Sequence, residues 1–307
     1  MVYFACNLTN LKISVIGIVA GTEIQIPEVN LFLTPVNQTA KTNITGTAIF
    51  HSLLPNVSYT INASRYNTLF NTTTISTLLK NETAIAWYNV TINYPSFKLL
   101  VDVRNPNANN EPINNATVEI QEIMTGLYYK GHTNESGNVV FNLLLGKYKA
   151  EVYEENGIEL NATSFNLFED KNLTIYCNLY GLVINVKVVD YFGQPIPNVN
   201  VKLQRAHLAF LSQTQADGSA TFTNIVGGDM QVYLYLADQT HPCIVKTFSA
   251  KESTTIVIKI EKYVVLAGFL VETSQFTVAL IIILTLTVFA MIEVYRRRRA
   301  RNLKGES

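Results

Sequence analysis

The chain has 307 residues, with 23 Lys and Arg against 23 Asp and Glu, a formal net charge of zero and 15 % charged residues. That charge content lies below the roughly 25 % of ordinary soluble domains, so abundant Asn, Thr and Tyr must keep the surface polar. A neutral chain gives no case for nucleic acid or an acidic partner through bulk attraction. Cys6, Cys177 and Cys243 stand far apart without C-x-x-C spacing, which excludes a dense disulfide framework and argues against a zinc site. At most one bridge can form among them, and the odd count leaves one thiol free or paired between chains.

Met1-Val-Tyr-Phe-Ala-Cys6 has neither a basic n-region nor an apolar run of leader length, so a signal peptide is expected upstream of this start. The chain then repeats itself. The first copy contains Leu11 to Val19, Ile26-Pro27-Glu-Val29, Thr45-Gly46-Thr-Ala-Ile-Phe50, Leu54-Pro55 and Tyr59. The second sets Phe97, Leu99, Val101 and Val103 on one face of a strand. Pro112 to Val118, Ser136-Gly137-Asn-Val-Val-Phe141, Leu145-Gly146-Lys-Tyr148 and a closing Leu173-Thr-Ile-Tyr176 follow.

The third copy is the most regular. Ile184, Val186 and Val188 alternate with Asn185 and Lys187, and Val199, Val201 and Leu203 with Asn200, Lys202 and Gln204, the period-2 signature of half-buried strands. Asp217-Gly218 is expected to form a hairpin turn with positive φ, and Ile256, Ile258 and Ile260 a last strand. Gly46, Gly137 and Gly218 are the common landmark, each followed four residues later by Phe.

The segment Gly193-Gln-Pro195-Ile-Pro197-Asn-Val199-Asn-Val201, with Asp217-Gly218-Ser-Ala-Thr-Phe222 and the Gly227-Gly228 turn, resembles the carboxypeptidase regulatory-like family. The pattern is nearly complete in the third copy, partial in the second and degraded in the first, and the copies together cover about Leu11 to Glu261. The resemblance implies prealbumin-like and immunoglobulin-like β-sandwiches of about seven strands each. It implies no peptidase activity, because such modules are accessory domains on many proteins. The expected fold is therefore all-β, with three tandem sandwiches (1–95, 96–180 and 181–261) and one C-terminal helix. Asn178-Leu-Tyr-Gly181 is too short a linker for free swinging, so the copies should form a semi-rigid rod.

Residues 262–272 are an apolar juxtamembrane linker. Its Tyr263-to-Val271 run is too short to span, and could extend the last sheet, lie on a bilayer or lengthen the following helix. Phe276 to Ile292 is uncharged and, with Thr273, Ser274 and Gln275, reaches the roughly 20 residues that cross a hydrocarbon core. It is read as a transmembrane helix over 273–295, with the lipid bilayer as its partner. The tail 296–307 carries Arg296, Arg297, Arg298, Arg299 and Arg301, which the positive-inside rule keeps cytoplasmic, leaving everything before Thr273 outside the cell. Glu293 stands three and four residues before Arg296 and Arg297, a pairing distance at the interface. A tail-anchored protein with a cytosolic N-terminal part is the competing reading, which would leave the glycosylation signals without meaning.

Those signals are N-x-[ST] sequons at Asn7, Asn37, Asn43, Asn56, Asn62, Asn71, Asn81, Asn89, Asn115, Asn134, Asn161 and Asn172. Chance would give roughly four, so their density marks a surface selected for glycans, although Asn- and Thr-rich strands also match the pattern by accident. They stop before the third copy, whose glycan-free surface is expected to meet an envelope protein partner or the bilayer.

Catalysis has no support. The chain contains no H-E-x-x-H, G-x-S-x-G or phosphate-binding glycine loop, and His51, His132, His207 and His241 lack a second ligand at metal spacing. Glu151, Glu154 and Glu155 resemble a catalytic cluster only in number. No catalytic, metal or cofactor site is expected. Isopeptide-forming pilin domains share the sandwich topology and aim a first-strand Lys inward, but Lys187 falls on the outward side and the last strand has no Asn or Asp. Tyr233, Tyr235 and Trp87-Tyr88 are candidate sugar-stacking residues, or plain sheet-surface aromatics.

The composition and sequon density look like surface proteins of thermoacidophilic archaea, whose surface-layer stalks combine sandwiches with a membrane helix. Those stalks carry a long coiled coil, and no heptad run exists here. The reading is a single-pass cell-surface glycoprotein with a structural or adhesive role; the alternative is an anchored accessory subunit of a transporter or secreted hydrolase that binds glycan or peptide.

Overall fold

The computed structural model describes residues 8–78, 86–236, 240–266 and 268–304, with side chains described up to 298. Cys6, Asn7 and Asn81 lie outside the described residues, as do the side chains of Arg299 and Arg301. The chain is all-β up to one C-terminal helix.

In the first sandwich β1 (Thr9–Val19), β2 (Thr22–Gln25), β5 (Thr47–Leu53) and β8 (Ala86–Asn93) form one sheet. The facing sheet runs β4 (Gln38–Lys41), β3 (Asn30–Thr34), β6 (Ser58–Arg65), β7 (Thr68–Ser76). The second sandwich repeats this with β9 (Ser96–Asn105), β10 (Glu111–Pro112), β13 (Asn138–Leu144) and β16 (Lys171–Tyr176) against β12 (Tyr128–His132), β11 (Thr117–Glu122), β14 (Gly146–Tyr153) and β15 (Glu159–Leu167). In the third, β17 (Leu182–Val189), β20 (Ser219–Ile225) and β23 (Thr254–Lys259) face β19 (Leu208–Gln213), β18 (Asn200–Arg205), β21 (Gly228–Tyr235) and β22 (Ile244–Ala250). By contact the chain divides into two compact units, Met1–Cys177 and Asn178–Ser307.

The period-2 pattern is realised in the first strand of each sandwich. Leu11, Ile13 and Val15, then Leu99, Val101 and Val103, then Ile184, Val186 and Val188 are fully buried, while Lys12 and Lys187 between them, and Lys98 just before Leu99, are exposed. Each inward Leu, Ile or Val contributes about 1.5–3 kcal/mol of burial. The closing strands β8, β16 and β23 lie parallel to β1, β9 and β17, so each sandwich pairs its first strand with its last.

The landmark glycines have positive φ (+65°, +77° and +75°), but they do not close hairpins as expected for Asp217-Gly218. β19 and β20 belong to different sheets, and the turn at Gly218 carries the chain from one to the other. The carbonyls of Gly46, Gly137 and Gly218 accept from the amides of Val15, Val103 and Val188 at 2.9, 2.8 and 2.8 Å. A Cβ on these glycines would stand 2.8, 2.7 and 2.6 Å from the carbonyl oxygens of the same valines, so the close approach requires glycine.

A buried threonine completes each crossing. Thr42, Thr133 and Thr214 donate their Oγ1 hydroxyls to the carbonyls of Ile26, Ile113 and Ile196 at 2.9, 2.7 and 2.8 Å. The same oxygens accept from the amides of Val29, Ala116 and Val199 at 2.9, 2.9 and 2.8 Å.

The first two sandwiches share buried residues. Leu144 and Leu145 of the second pack in the core of the first, and Gly17 leaves the room that Leu144 occupies. Tyr94, between β8 and β9, donates to the Leu145 carbonyl at 2.7 Å and accepts from Arg65 Nη1 at 3.2 Å. Tyr66 stacks on Phe168 at 6.2 Å and donates to Glu122 Oε1 at 2.6 Å. Burial pushes the Tyr94 phenol up to about 12, against the pull of Arg65. Burial alone would raise the Glu122 carboxyl, yet hydrogen bonds from Tyr66 and Thr125 and the Arg65 charge hold it below its ordinary value.

Cys177 and Cys243 are free thiols. Burial pushes Cys177 up to about 12, far from the thiolate that reactivity needs.

Two outcomes follow from this packing. Thr214→Val leaves the Val199 amide and the Ile196 carbonyl unpaired, at about 1–3 kcal/mol. Exchange protection of the Val199 amide should fall about tenfold or more, and Thr214→Ser should retain it; unchanged protection in the valine variant would remove the role assigned to this hydroxyl. The second outcome concerns acid. A carboxyl depressed on folding stabilises fully above its unfolded value of about 4.3, and that contribution is lost as pH falls through the folded value. Thermal melts of the chain should therefore show the first compact unit weakening below about pH 4. Glu122→Gln should be less stable at neutral pH and lose less on acidification; an equal acid loss in both chains would contradict it.

Candidate functional site

The C-terminal part begins with a β-hairpin, β24 (Tyr263–Leu266) paired with β25 (Phe269–Glu272), and runs directly into α1 (Thr273–Lys304). The apolar linker expected here is thus a hairpin of its own, turned at Gly268 with φ +85°. The sequence left that open because apolar runs of this length carry no decisive period.

Within Thr273–Arg298 of α1 an 18-residue stretch reaches a mean hydropathy of 2.5, and none of the residues is buried. At 1.5 Å per residue these 26 residues measure about 39 Å, beyond the 30 Å of a hydrocarbon core. Thr277, Thr285 and Thr287 donate their hydroxyls to the carbonyls of Thr273, Ile281 and Ile283 at 2.7, 2.7 and 2.9 Å, so these polar groups are satisfied within the helix. Arg297 donates to Glu293 Oε1 at 2.8 Å, and Arg296 stands 4.0 Å from Oε2. Arg296, Arg297 and Arg298 are exposed. The helix continues through the basic run to Lys304.

Asp190 fastens the hairpin to the third sandwich. It is fully buried; Oδ1 accepts from the amides of Phe192 and Gln194, each at 2.8 Å, and Oδ2 from the Val265 amide at 2.8 Å. Thr273 is fastened too, its amide donating to the Lys262 carbonyl and its hydroxyl to the Glu261 carbonyl, both at 2.8 Å. A cleft of about 390 Å³ lies between the hairpin and the strand connection Ile196–Val199. Sequence reasoning assigned Asp190 no role, although an Asp three residues before Gly193 is a recognisable side-chain-capped turn.

The sequon asparagines fall into two groups. Asn37, Asn43, Asn56, Asn89, Asn115, Asn134 and Asn172 are exposed, whereas Asn62, Asn71 and Asn161 are half-buried on sheet faces. Asn43 Oδ1 accepts from the amides of Thr45 and Thr47, and Asn134 Oδ1 from those of Ser136 and Asn138, so both cap the sheet-crossing turns. Asn161 differs, because its Nδ2, the atom that would carry a glycan, donates to the Tyr176 carbonyl at 2.7 Å.

Among the described residues no three His, Cys, Asp or Glu side chains gather at metal-binding distance. His51, His132 and His241 contact Asn10, Thr117 and Thr240. Glu151 pairs with Lys149 and accepts from the Tyr153 hydroxyl at 2.7 Å, a surface network; Glu154 accepts from Asn156. Lys187 lies opposite Ser219 and Val257, pointing outward. Trp87 is 48 % exposed, with the His51 ring edge-on at 6.2 Å. Tyr233 carries the Lys202 ammonium over its ring at 5.3 Å and donates to Gln231 at 2.6 Å. Leu211 and Val245 complete that exposed row across β19, β18, β21 and β22.

No family model matches the chain, and no curated protein matches it in sequence. Among solved structures it is similar to the Bacillus anthracis TIE protein, with 16 % identity and a TM-score of 0.36 over 83 % of this chain. The match takes in 50 % of that protein, so the chain spans about half its length. It is also similar to GBS52, the minor pilin of Streptococcus agalactiae, with 14 % identity and a TM-score of 0.40 over 54 % of this chain and 94 % of that one. BcpA, the major pilin subunit of Bacillus cereus, gives 10 % identity and a TM-score of 0.27 over 83 % of this chain and 99 % of that one. At such identities and scores the similarity is one of β-sandwich architecture alone.

Proposed function

We propose that this chain is a single-pass cell-surface glycoprotein, three sandwiches held outside the cell by α1, with a structural, adhesive or envelope-scaffold role. The observation that carries this is the unburied apolar helix, fastened to the last sandwich through the β24–β25 hairpin and ending in a basic run. The Arg296-to-Arg301 cluster lies on the cytoplasmic side in this reading. The first two sandwiches carry the glycans and the third meets an envelope protein through its sequon-free face, where Leu211 and Val245 are exposed beside Lys202 and Tyr233. Membership of the carboxypeptidase regulatory-like family and an archaeal source belong to the same proposal; they are supported by the repeated Gly-to-Phe turns and by composition.

A second reading, an anchored glycan- or peptide-binding accessory subunit, is favoured by Trp87 alone. Its side chain shares an exposed strand face with Asn89, two residues on. A glycan on Asn89 would cover that ring, so the two readings compete for one surface.

Protease added to intact cells should digest the sandwiches and leave a fragment containing Phe276 to Ser307; recovery of an intact sandwich array would end the surface reading. Glycopeptide mapping of the shed part should find occupancy at Asn37, Asn115, Asn134 and Asn172. Asn161 should be low or empty unless modification precedes folding. Glycan on Asn89 supports the scaffold reading, while a bare Asn89 with saccharide-dependent quenching of Trp87 fluorescence supports the accessory one.

A further inference from the structure

The third sandwich exposes large apolar side chains in two segments that are far apart in sequence and both adjoin the start of α1. Phe192, in the loop after β17, is 60 % exposed; Phe269 is 74 % and Leu266 52 % exposed in the hairpin. The Phe192 ring meets Phe276, in the first turn of α1, edge-on at 6.0 Å. Phe192 therefore lies at the depth where the apolar helix begins. The Tyr191 ring packs against Phe192 at 5.2 Å and carries the Lys259 ammonium at 4.7 Å, the tyrosine-and-lysine arrangement that suits a membrane–water boundary.

From this geometry we propose that the Phe192 loop and the β24–β25 hairpin form a foot that sits in the interfacial layer of the bilayer and holds the third sandwich against it. The inference rests on α1 spanning the membrane. The foot is stiff, because the buried Asp190 carboxylate binds the amides of Phe192 and Gln194 in the loop and of Val265 in the hairpin. It also cannot pull away from the helix, since Thr273 is fastened through its amide and hydroxyl to Lys262 and Glu261. Charge does not drive the contact: Lys262 is paired with Glu272 at 3.4 Å, and Lys259 and Glu261 balance across the same end. Binding then comes from apolar area, and lipid charge should matter little. The absence of sequons from this sandwich leaves the foot free of carbohydrate.

Trp87 is the only tryptophan, so Trp87→Phe gives a dark background for the full chain in phosphatidylcholine liposomes. Single tryptophans are placed at Phe192, at Phe269, at Phe289 in the helix and at Leu211, exposed on the four-stranded sheet. Nitroxide lipids labelled at the headgroup or deep in the chain report depth. Headgroup-level nitroxide should quench Phe192→Trp and Phe269→Trp about twofold or more beyond Leu211→Trp. Phe289→Trp should respond most to the deep label, and 30 % anionic lipid should change none of these ratios by more than about a fifth. Quenching at Phe289 with Phe192 and Phe269 no different from Leu211 would overturn the foot and leave the anchor standing. Absence of quenching at Phe289 as well would overturn the membrane reading itself. Blue-shifted emission at Phe192 and Phe269 without lipid quenching would show a protein or a second copy covering the patch, which also overturns the foot. Exchange protection of the Val265 amide checks that each variant keeps the Asp190 contact.

Discussion

A β-sandwich whose chain passes repeatedly from one sheet to the other must bury backbone at every crossing, and an unpaired amide or carbonyl there costs about as much as the hydrogen bond it lacks. This molecule meets that requirement in the same way in each copy. The first crossing, at Ile26, Ile113 or Ile196, and the return crossing, at Gly46, Gly137 or Gly218, run side by side. One threonine hydroxyl joins them, donating to one crossing residue and accepting from the strand that follows. The glycine carbonyl then closes onto the first strand. Core composition varies among the copies, but Thr, Gly and the contacted Val do not, because the polar geometry of the crossing admits few substitutes.

The position two residues beyond the clamped valine shows how the same scaffold takes different attachments. In the first sandwich it is Gly17, against which Leu144 of the second packs. In the second it is Asn105, whose side chain caps a short 3-10 turn at Asn107. In the third it is Asp190, which captures the Val265 amide of the β24–β25 hairpin. All three stand at the end of the strand that pairs in parallel with the last one, and so at the end where the chain leaves the sandwich. Parallel pairing of first and last strands places entry and exit at opposite ends. That is why the residue after the clamp is available for building onward.

Much of this was legible in the sequence because it is local. Alternation marked the core strands, and the Gly-to-Phe spacing marked the repeat. The threonine lay within reach of the same reasoning: Thr42, Thr133 and Thr214 each stand four residues before the landmark glycine, but a polar residue in an apolar pattern reads as a surface position until its partners are known. The turn at Asp217-Gly218 looked like a hairpin because positive φ is shared by hairpins and sheet crossings alike. The joint of Arg65, Tyr66, Tyr94 and Glu122 was not legible at all, since its hydrogen bonds join residues 29 and 56 positions apart. The candidate site divides the same way. The apolar run, the basic cluster and the sequons are visible as patterns, whereas the exposed Phe192 meeting Phe276, and the engagement of the Asn161 amide nitrogen, arise only on folding.

The three outer sheet faces differ in chemistry although their strands superpose in order. On the first sandwich the face of β3, β6 and β7 carries hydroxyl and amide pairs, with Thr60 against Thr74 at 3.3 Å and Thr72 donating to Asn62 at 3.0 Å, beside exposed Phe32 and Leu69. On the second, Lys130 pairs with Glu119 at 3.0 Å and Lys149 with Glu151 at 2.5 Å. On the third, exposed Leu211 and Val245 flank Lys202 and Tyr233. Such pairs on an open sheet contribute only about 0.2–1 kcal/mol each, so stability does not select among these solutions. What differs is the cost of covering each face. Hydroxyl and amide pairs and ion pairs must be desolvated before a protein can lie on them, while an apolar row gains from being covered.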